Sequence, residues 1–442
     1  MKKAILFSAL AIFLLQAHPA LARQSCRVCG MYLDVYQKTA TRLVDHDGHE
    51  AGTCGVACLL RMVSDAGGPD AWSSIQVRDF TSGQLIDAAG ASFVIGSDTI
   101  PDMLPNIIAF ADKEKAASFA AEHGGAVIGF SQALLSISPM GMTMPSRLNP
   151  AVLPGKGATM VGLGHMKMVM DEVALGSGSV DPLDFARRPM QMMGPKEMSS
   201  EADMFMAAHS ISDRDNIAIK IANFKKEMEM YTMGGMAVST TKNSGIGDIE
   251  VSLRHLLWKD TFYSHFLSLL GAITLPSGDF DSALIGSPGL QIGTGAFTGT
   301  AGILYSQRMG DFWFHSSLSY KYALENSDDY QFGDVTSLAA ALHYTPNYDL
   351  IFGLEVDGSQ YGKNEYRGVK QDNTGGFRSF ATAIANWKFL TAMGGNFSVK
   401  ATYGMPLYED MNHYKSGMME KAQMGGGYMS SIGLSFSRRL AY

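Results

Sequence analysis

The sequence SIGLSFSRRLAY at residues 431–442 alternates between large apolar and small or polar side chains. Ile432, Leu434 and Phe436 fall on one face of an extended strand, and Leu440 and Tyr442 continue that face to the end of the chain. Because successive side chains of a strand point to opposite faces, the pattern predicts a strand with one apolar and one polar face.

The same alternation recurs in eleven segments upstream, which gives twelve predicted strands. A soluble sandwich also alternates in this way, so the pattern alone does not distinguish a sandwich from a barrel. The predicted strands cover about residues 158–170, 201–210, 214–231, 246–257, 261–275, 291–308, 311–324, 332–345, 348–361, 376–390, 396–406 and 427–442.

Three further features favour a membrane barrel. The C-terminal aromatic residue on an amphipathic strand resembles the assembly signal of outer-membrane proteins. Short turns alternate with long connections, which are expected at about 171–200, 232–245, 276–290, 325–331, 362–375 and 407–425. Aromatic residues gather at strand ends, as in the girdles of membrane barrels: Trp258, Phe262, Tyr263, Trp313, Tyr320, Tyr322, Tyr344 and Tyr348. The sequence therefore predicts a twelve-stranded antiparallel transmembrane β-barrel over residues 158–442, in contact with outer-membrane lipid.

The first 22 residues are typical of an export signal. Lys2 and Lys3 precede an apolar run over residues 4–15, and Ala20-Leu21-Ala22 offers a small-residue cleavage site. The apolar run is too short to span a membrane comfortably as a helix. If an exported chain without long apolar helices enters a membrane, it must do so as a barrel. Short turns of such barrels face the periplasm, and an even number of strands places both chain ends there. We therefore expect the region before the barrel to be periplasmic.

Residues 24–138 are predicted to form a small α+β domain, and residues 139–157 a linker rich in Met, Pro and Gly. The chain is thus predicted to be a multidomain protein. Its net charge of −7 gives no support to nucleic-acid binding. Since neither a phosphate-binding loop nor a nucleophile elbow is found, we do not expect an enzyme.

The segment Cys26-Arg-Val-Cys29-Gly-Met31 is the densest chemical signal in the chain. Cys54 and Cys58 supply a second pair of thiols at the predicted start of a helix, where the positive end of the helix dipole lowers a thiol pKa. Soft sulfur ligands select copper(I) or zinc. Two structural disulfides or a zinc site with four thiolates fit the spacing as well, so the spacing leaves these alternatives open. Thiol–disulfide exchange is disfavoured, because a redox CxxC normally opens a helix in a thioredoxin-like unit.

The order of motifs in this domain resembles the NosL family, which comprises periplasmic copper(I) proteins linked to nitrous oxide reductase maturation. The resemblance covers about residues 24–135 and rests on Cys26-x-x-Cys29-Gly30-Met31, Val77-x-Asp79-Phe80, Ile86-Asp87-Ala88, Ala91-x-Phe93-Val94-x-Gly96, Pro101-x-Met103, Ala109-Phe110 and Gly124-Gly125. It implies that copper(I) binds to Cys29 and Met31, together with Cys26 and Met103. Family members are usually lipoproteins whose motif cysteine carries the lipid, whereas Cys26 lies past a soluble-type cleavage site. The Cys54/Cys58 pair is a second departure, and it allows a four-sulfur site.

Two further groups of residues offer metal ligands. His46 and His49 are close to the cysteines in sequence, but a polar turn is the favoured interpretation. Methionine is concentrated where the barrel begins, with 17 of 29 between residues 140 and 236. Rows of thioethers on one strand face bind copper(I) weakly and form a second set of sulfur donors, although methionine also simply fills apolar faces. The predicted rows are Met166, Met168 and Met170, then Met204 and Met206, then Met228 and Met230.

The barrel half resembles outer-membrane transporters of the meta-pathway phenol degradation family. The resemblance covers about residues 157–442 through Gly245-Ile-Gly-Asp-Ile-Glu250, Gly271-x-x-x-Leu275-Pro276-x-Gly278, Gln291-Ile-Gly-Thr-Gly295 and Tyr330-x-Phe332-Gly333-Asp334. The two halves together predict a non-enzymatic copper-handling protein, whose barrel anchors the domain or exchanges metal and whose partner is a periplasmic cuproprotein. The alternative is a channel for small aromatic solutes with a domain stabilised by disulfides or zinc.

Overall fold

The computed structural model describes residues 23–137, 145–191, 193–416 and 419–440. The predicted signal peptide, the start of the predicted linker, Met192 and the terminal Tyr442 lie outside these residues. Within the described ranges, a small α+β region is followed by a closed barrel of twelve antiparallel strands. The predicted fold class is therefore confirmed.

The N-terminal region contains two antiparallel sheets and three helices among the described residues. Its elements are β1 (Thr41–Asp45), β2 (Glu50–Thr53), α1 (Val56–Asp65), β3 (Trp72–Arg78), β4 (Leu85–Asp87), β5 (Ser92–Ile95), β6 (Ile107–Phe110), α2 (Lys113–His123), β7 (Ala126–Gly129) and α3 (Phe130–Ile137). One sheet has the order β2-β1-β3-β4 and the other β6-β5-β7. Buried apolar residues of α1 and of both sheets share one core with Ile137 of α3. The sheets therefore hold α1, which carries Cys58, in a fixed position.

The C-terminal region is almost entirely β-structure. Its elements are β8 (Ala158–Met170), β9 (Glu172–Leu175), β10 (Gly178–Val180), α4 (Pro182–Ala186), β11 (Met193–Ser210), β12 (Asp215–Thr232), β13 (Ala237–Ile246), β14 (Ile249–Lys259), β15 (His265–Leu275), β16 (Thr298–Met309), β17 (Phe312–Ala323), β18 (Tyr330–Gln331), β19 (Val335–Tyr344), β20 (Leu350–Tyr361), β21 (Glu365–Tyr366), β22 (Val369–Lys370), β23 (Gly376–Ala392), β24 (Gly395–Met411), β25 (Tyr414–Ser416), β26 (Met419–Lys421), β27 (Gln423–Gly425) and β28 (Tyr428–Arg439). In the barrel, β13 and β14 form one interrupted strand on β12, and β8 joins the final strand β28 to β11, which closes the ring.

The barrel wall has an apolar outer face and a largely polar inner face. Leu318, Leu338 and Leu354 are among many apolar residues exposed on the outside, whereas His315 and Glu355 are fully buried on the inside. This distribution is the reverse of that in a water-soluble protein and is characteristic of a barrel surrounded by lipid. Among the described residues, no helix is long and apolar enough to cross a membrane.

The N-terminal domain is seated on the barrel end that carries the short turns. Tyr263 donates its hydroxyl hydrogen bond to Asn106 of the domain. Gly30 lies so close to the β23–β24 turn that a Cβ atom there would be 2.5 Å from the carbonyl oxygen of Gly395. Tyr263, Trp313 and Tyr348 are buried here, so the prediction that these three belong to a lipid-facing girdle is wrong. Contact with the domain, rather than with lipid, explains their positions.

A segment from the predicted linker, residues 145–157, lies inside the barrel; we call it the lumen segment. Glu355 accepts hydrogen bonds from the backbone N–H groups of Ser146 (2.9 Å) and Arg147 (2.7 Å). The Arg147 guanidinium is paired with Asp357, with Nε 2.6 Å and Nη2 2.8 Å from its carboxylate oxygens. Nearer the short turns, Ala151 donates to Ser306 Oγ at 2.9 Å. The segment is therefore attached to the wall by specific polar contacts along its length.

Candidate metal centre

The CxxCGM segment folds into a tight turn at the start of the domain. The backbone N–H of Cys26 donates to the carbonyl of Met31, and the N–H of Gly30 donates to the carbonyl of Cys26, each at 2.8 Å. Gly30 has a φ of +77°, a conformation that glycine adopts without a steric penalty. The turn brings Cys26, Cys29 and Met31 into one buried cluster.

The second pair of thiols comes from the junction between β2 and α1. Cys54 follows β2, and Cys58 lies in the first turn of α1, whose N-cap is Gly55. The carbonyl of Cys54 accepts a hydrogen bond from Thr39 Oγ1 at 2.7 Å, which fixes the backbone there. The predicted position of this pair at a helix start therefore agrees with the structure.

The four cysteines converge although the two pairs are 25 or more residues apart. Cys29 Sγ lies 3.4 Å from Cys54 Sγ, and Cys54 Sγ lies 3.7 Å from Cys58 Sγ. All four sulfurs lie within 4.8 Å of one another. Four sulfurs that surround one ion at about 2.3 Å in a tetrahedron are about 3.8 Å apart. The spacing thus fits a single ion bound among four thiols.

Two thioethers belong to the same cluster. Met103 Sδ lies 3.1 Å from Cys58 Sγ, and Met31 is buried beside the cysteines. Each of the four thiols and Met31 is at most 8% exposed. The structure therefore gathers all six residues of the predicted primary sulfur set in one place, with five of them buried and Met103 half-buried.

The charge of the cluster is shared unequally among the thiols. Burial opposes ionisation of Cys26, but hydrogen bonds from the thiols of Cys29, Cys54 and Cys58 hold its pKa well below the ordinary value. Hydrogen bonding to Cys26 raises the pKa of Cys54 and of Cys58 well above the ordinary value, so the lowering expected from the helix dipole is not found. Burial also raises the pKa of the neighbouring Asp102 to about 7. A cation bound among these sulfurs stabilises their thiolate forms and displaces their protons.

The barrel covers one side of the cluster through Tyr348, a residue that the sequence does not connect with the cysteines. Its ring packs against the cluster, with the Arg61 guanidinium 5.0 Å and the Lys388 Nζ 4.0 Å from its centroid. Lys388 Nζ also donates to the carbonyl of Val28, inside the CxxC segment, at 2.9 Å. The sulfur atoms of the cluster thus all belong to the domain, and residues of the barrel cover one side of it.

The other predicted ligands lie elsewhere. His49 and His46 are exposed, and Asp45 accepts hydrogen bonds from the backbone N–H groups of Asp47 and His49, which describes a polar turn. The second predicted set of sulfur donors lies in the barrel wall, apart from the cysteines, on β8, β11 and β12. These residues are Met166, Met168, Met170, Met204, Met206, Met228 and Met230.

Comparisons with known proteins match the two halves separately. A family model described as NosL matches residues 18–134, and one described as "Putative MetA-pathway of phenol degradation" matches residues 194–418. None of the curated proteins matches the chain.

Solved structures similar to the chain include outer-membrane barrels and a NosL protein. An outer membrane channel from Pseudomonas putida F1 has a TM-score of 0.51 at 13% identity, over 66% of this chain and 100% of that chain. The copper chaperone NosL from Shewanella denitrificans has a TM-score of 0.23 at 21% identity, over 25% of this chain and 88% of that chain. The first likeness shows the fold of the barrel, which is of the outer-membrane type.

Proposed function

Because the chain belongs to the phenol-degradation-pathway family of outer-membrane barrels and carries a NosL domain before its barrel, we propose that it is a non-enzymatic copper-handling protein. The domain captures copper(I), and the barrel anchors the domain at the outer membrane or exchanges the metal. The observation that carries the proposal is the buried cluster of four thiols within 4.8 Å, with Met103 Sδ 3.1 Å from one of them.

The cluster offers several sulfur donors to a soft monovalent ion. Sulfur donors bind copper(I) in preference to hard cations. The lowered pKa of Cys26 eases the loss of its proton, and binding of an ion displaces protons from the remaining thiols. Tyr348 and the surrounding core exclude water, which slows oxidation of the bound ion and of the thiols. Each of these roles belongs to residues of this chain.

The position of the domain supports a periplasmic location. It is seated on the short-turn end of the barrel, and short turns of outer-membrane barrels face the periplasm. A periplasmic cuproprotein is accordingly the partner that delivers or receives the ion. The outer wall of the barrel contacts lipid.

The test is a titration of the full-length protein, purified without oxygen in detergent, with copper(I) held by a competing chelator. We expect one tightly bound ion per chain, and loss of that ion in the Cys54→Ser/Cys58→Ser variant. Met405→Leu, which alters an exposed methionine on the outer wall, is the matched control and retains the ion. A wild-type dissociation constant weaker than about micromolar ends the proposal.

One observation favours a second function, a channel for small solutes. A cavity of about 290 Å³ lies inside the barrel between the lumen segment and the wall, lined by Leu270, Leu304, Ser317, Ser319, Ser337, Ala339, Asp357 and Ser359. It has room for about ten water molecules. In this reading the domain is held together by zinc or by disulfides. Uptake of a small aromatic solute by cells separates the two: solute uptake that is lost on deletion, with copper resistance unchanged, favours the channel.

A further inference from the structure

The methionines of the barrel are concentrated on one side of its wall. Strands β28, β8, β11 and β12 are consecutive neighbours, with one methionine on β28, four on β8, four on β11 and two on β12. Strands β15, β16, β17, β19, β20 and β23 contain one methionine in their described residues, the exposed Met309. This uneven distribution requires an explanation beyond a general preference for methionine.

Strand register shows which way these side chains point. Met198 on β11 lies directly opposite Met170 on β8 and Met228 on β12. Met429 on β28 lies directly opposite Met168. Directly paired residues of antiparallel strands share a face. Met170, Met198 and Met429 are buried, whereas Leu163 on the opposite face of β8 is exposed. The paired methionines therefore face the lumen.

Six of the seven inward positions of β8 bring a thioether to the lumen, either from β8 itself or from its partner; Ala158, at the start of the strand, is the exception. Met160, Met166, Met168 and Met170 are four of these six positions. The other two are glycines, and they pair with methionines of β11: Gly162 with Met206 and Gly164 with Met204. A Cβ atom at Gly164 would lie 3.5 Å from Met204 Cε, so the glycine leaves room for the thioether. We call this series the thioether ladder; in order it is Met160, Met206, Met204, Met166, Met168 and Met170.

The ladder runs from a sulfur-rich outer end towards the seat of the N-terminal domain. At its outer end, Met170, Met198 and Met424 are buried together, with Met168 and Met228 packed against them. At its inner end, β8 begins opposite Arg439, whose guanidinium donates to the carbonyl of Asp102, the residue before Met103. Ten residues of strand cover about 34 Å, or about 25 Å across a membrane once strand tilt is included. The ladder is therefore long enough to cross the apolar band of the barrel.

The chemistry of this wall suits a soft ion of low charge. Thioethers are neutral and soft, and they bind copper(I) without adding charge to the wall. Lipid contact does not account for them, because they face the lumen, which is polar in most such barrels. Two guanidinium groups approach the outer end: Arg378 Nη1 lies 3.3 Å from Met170 Sδ, and Arg147 Nη1 lies 3.5 Å from Met429 Sδ. Both are paired with carboxylates, Arg378 with Glu409 and Arg147 with Asp357, each at 2.6 Å.

We infer that the thioether ladder is a path along which copper(I) moves between the cysteine cluster and the outer mouth of the barrel. The inference rests on the proposed function and assigns the exchange of metal to named residues of the wall. The ion passes from one thioether to the next and remains copper(I) throughout, so no oxidant or reductant takes part.

The test uses the full-length protein reconstituted into lipid vesicles that enclose a coloured copper(I) chelator. Copper(I) is added outside under anaerobic conditions, and the absorbance of the internal complex reports transfer. Met204→Leu/Met206→Leu removes the two rungs that face glycines. Met166→Leu/Met168→Leu/Met429→Leu is a second interruption, which includes Met429 because it lies directly opposite Met168. Met309→Leu/Met405→Leu alters two exposed methionines as a control. Heat-dependent gel mobility verifies that each barrel is folded.

We expect each interruption to slow copper(I) entry at least about tenfold, because it leaves about 20 Å of strand without a thioether. One ion per chain still binds the cysteine cluster in each variant. The control pair keeps the wild-type rate. Unchanged entry in both interrupted variants, or entry of a small sugar as fast as that of copper(I), overturns the ladder and leaves the cysteine site standing. Loss of binding by the wild-type cysteine cluster instead overturns the proposed function.

Discussion

The two sides of the barrel wall share one fold and present different chemistry to the lumen. The side made of β28, β8, β11 and β12 offers thioethers in successive rows, together with Lys220 and Lys226, whose ammonium groups are held by Glu250 and by the carbonyl of Gln291. The side made of β15 to β20 offers Ser306, His315, His343, Glu355 and Asp357, and it holds the lumen segment. Residues on the outer face must be apolar because they contact lipid. Residues on the inner face are not under this constraint, so their chemistry can differ from one side of the barrel to the other. A barrel can thus hold a polar plug on one side and soft ligands on the other.

The largest expected effect concerns Glu355→Ala on the polar side. Glu355 is fully buried, accepts from the backbone of Ser146 and Arg147, and lies 3.1 Å from His343 Nε2. Removing one partner from such a buried network costs about 3–5 kcal/mol. We expect the lumen segment to be released, which planar-bilayer recordings detect as increased ion conductance. Met166→Leu on the thioether side retains the closed state. Wild-type conductance in Glu355→Ala would show that these contacts do not hold the segment.

A smaller effect distinguishes the outer face from the inner face of the same wall. Leu338 is 63% exposed on the outside, and a lysine there is placed in lipid at a cost of about 2–4 kcal/mol. Ser319 lines the internal cavity, where the same lysine remains in contact with polar groups. We expect Leu338→Lys to lower the denaturant midpoint of the refolded barrel in vesicles and Ser319→Lys to change it far less. Equal losses in the two variants contradict the assignment of the faces.

The smallest effect lies where the wall meets the domain. Tyr263→Phe removes the hydroxyl that donates to Asn106, a contact worth about 1 kcal/mol. The expected outcome is faster cleavage of the domain by a protease, with the barrel unchanged. Tyr322→Phe, at an exposed position, provides the comparison. If both variants are cleaved at the wild-type rate, the Tyr263 contact does not help to hold the domain in place.

The alternation of apolar and polar residues predicted the barrel strands well wherever contact with lipid requires an apolar outer face. The predicted strand 158–170 coincides with β8, and the strand predicted at 348–361 differs from β20 by two residues at its start. The predicted loop at 232–245 is wrong, because β13 occupies residues 237–246. This strand carries Ser239, Thr240 and Thr241 in succession and lacks an apolar face. Its pairing with β12 stabilises it instead, and a sequence pattern does not reveal such pairing.

The cysteine cluster was predictable in composition and only partly in structure. The CxxCGM spacing identifies Cys26, Cys29 and Met31 directly, but Met103 enters through its resemblance to a family motif. Tyr348 was assigned to the membrane surface because aromatic residues at strand ends are normally found there. Its contact with the cluster depends on how the domain is seated, and that arrangement joins residues more than 280 positions apart.

The seat of the domain on the barrel also controls access to the cysteines. Tyr348 belongs to the barrel and covers one side of the cluster, whereas all four thiols belong to the domain. A displacement of the domain from its seat therefore exposes that side of the thiols to water. The contact between the two halves thus sets how easily an ion or an oxidant reaches the sulfur atoms.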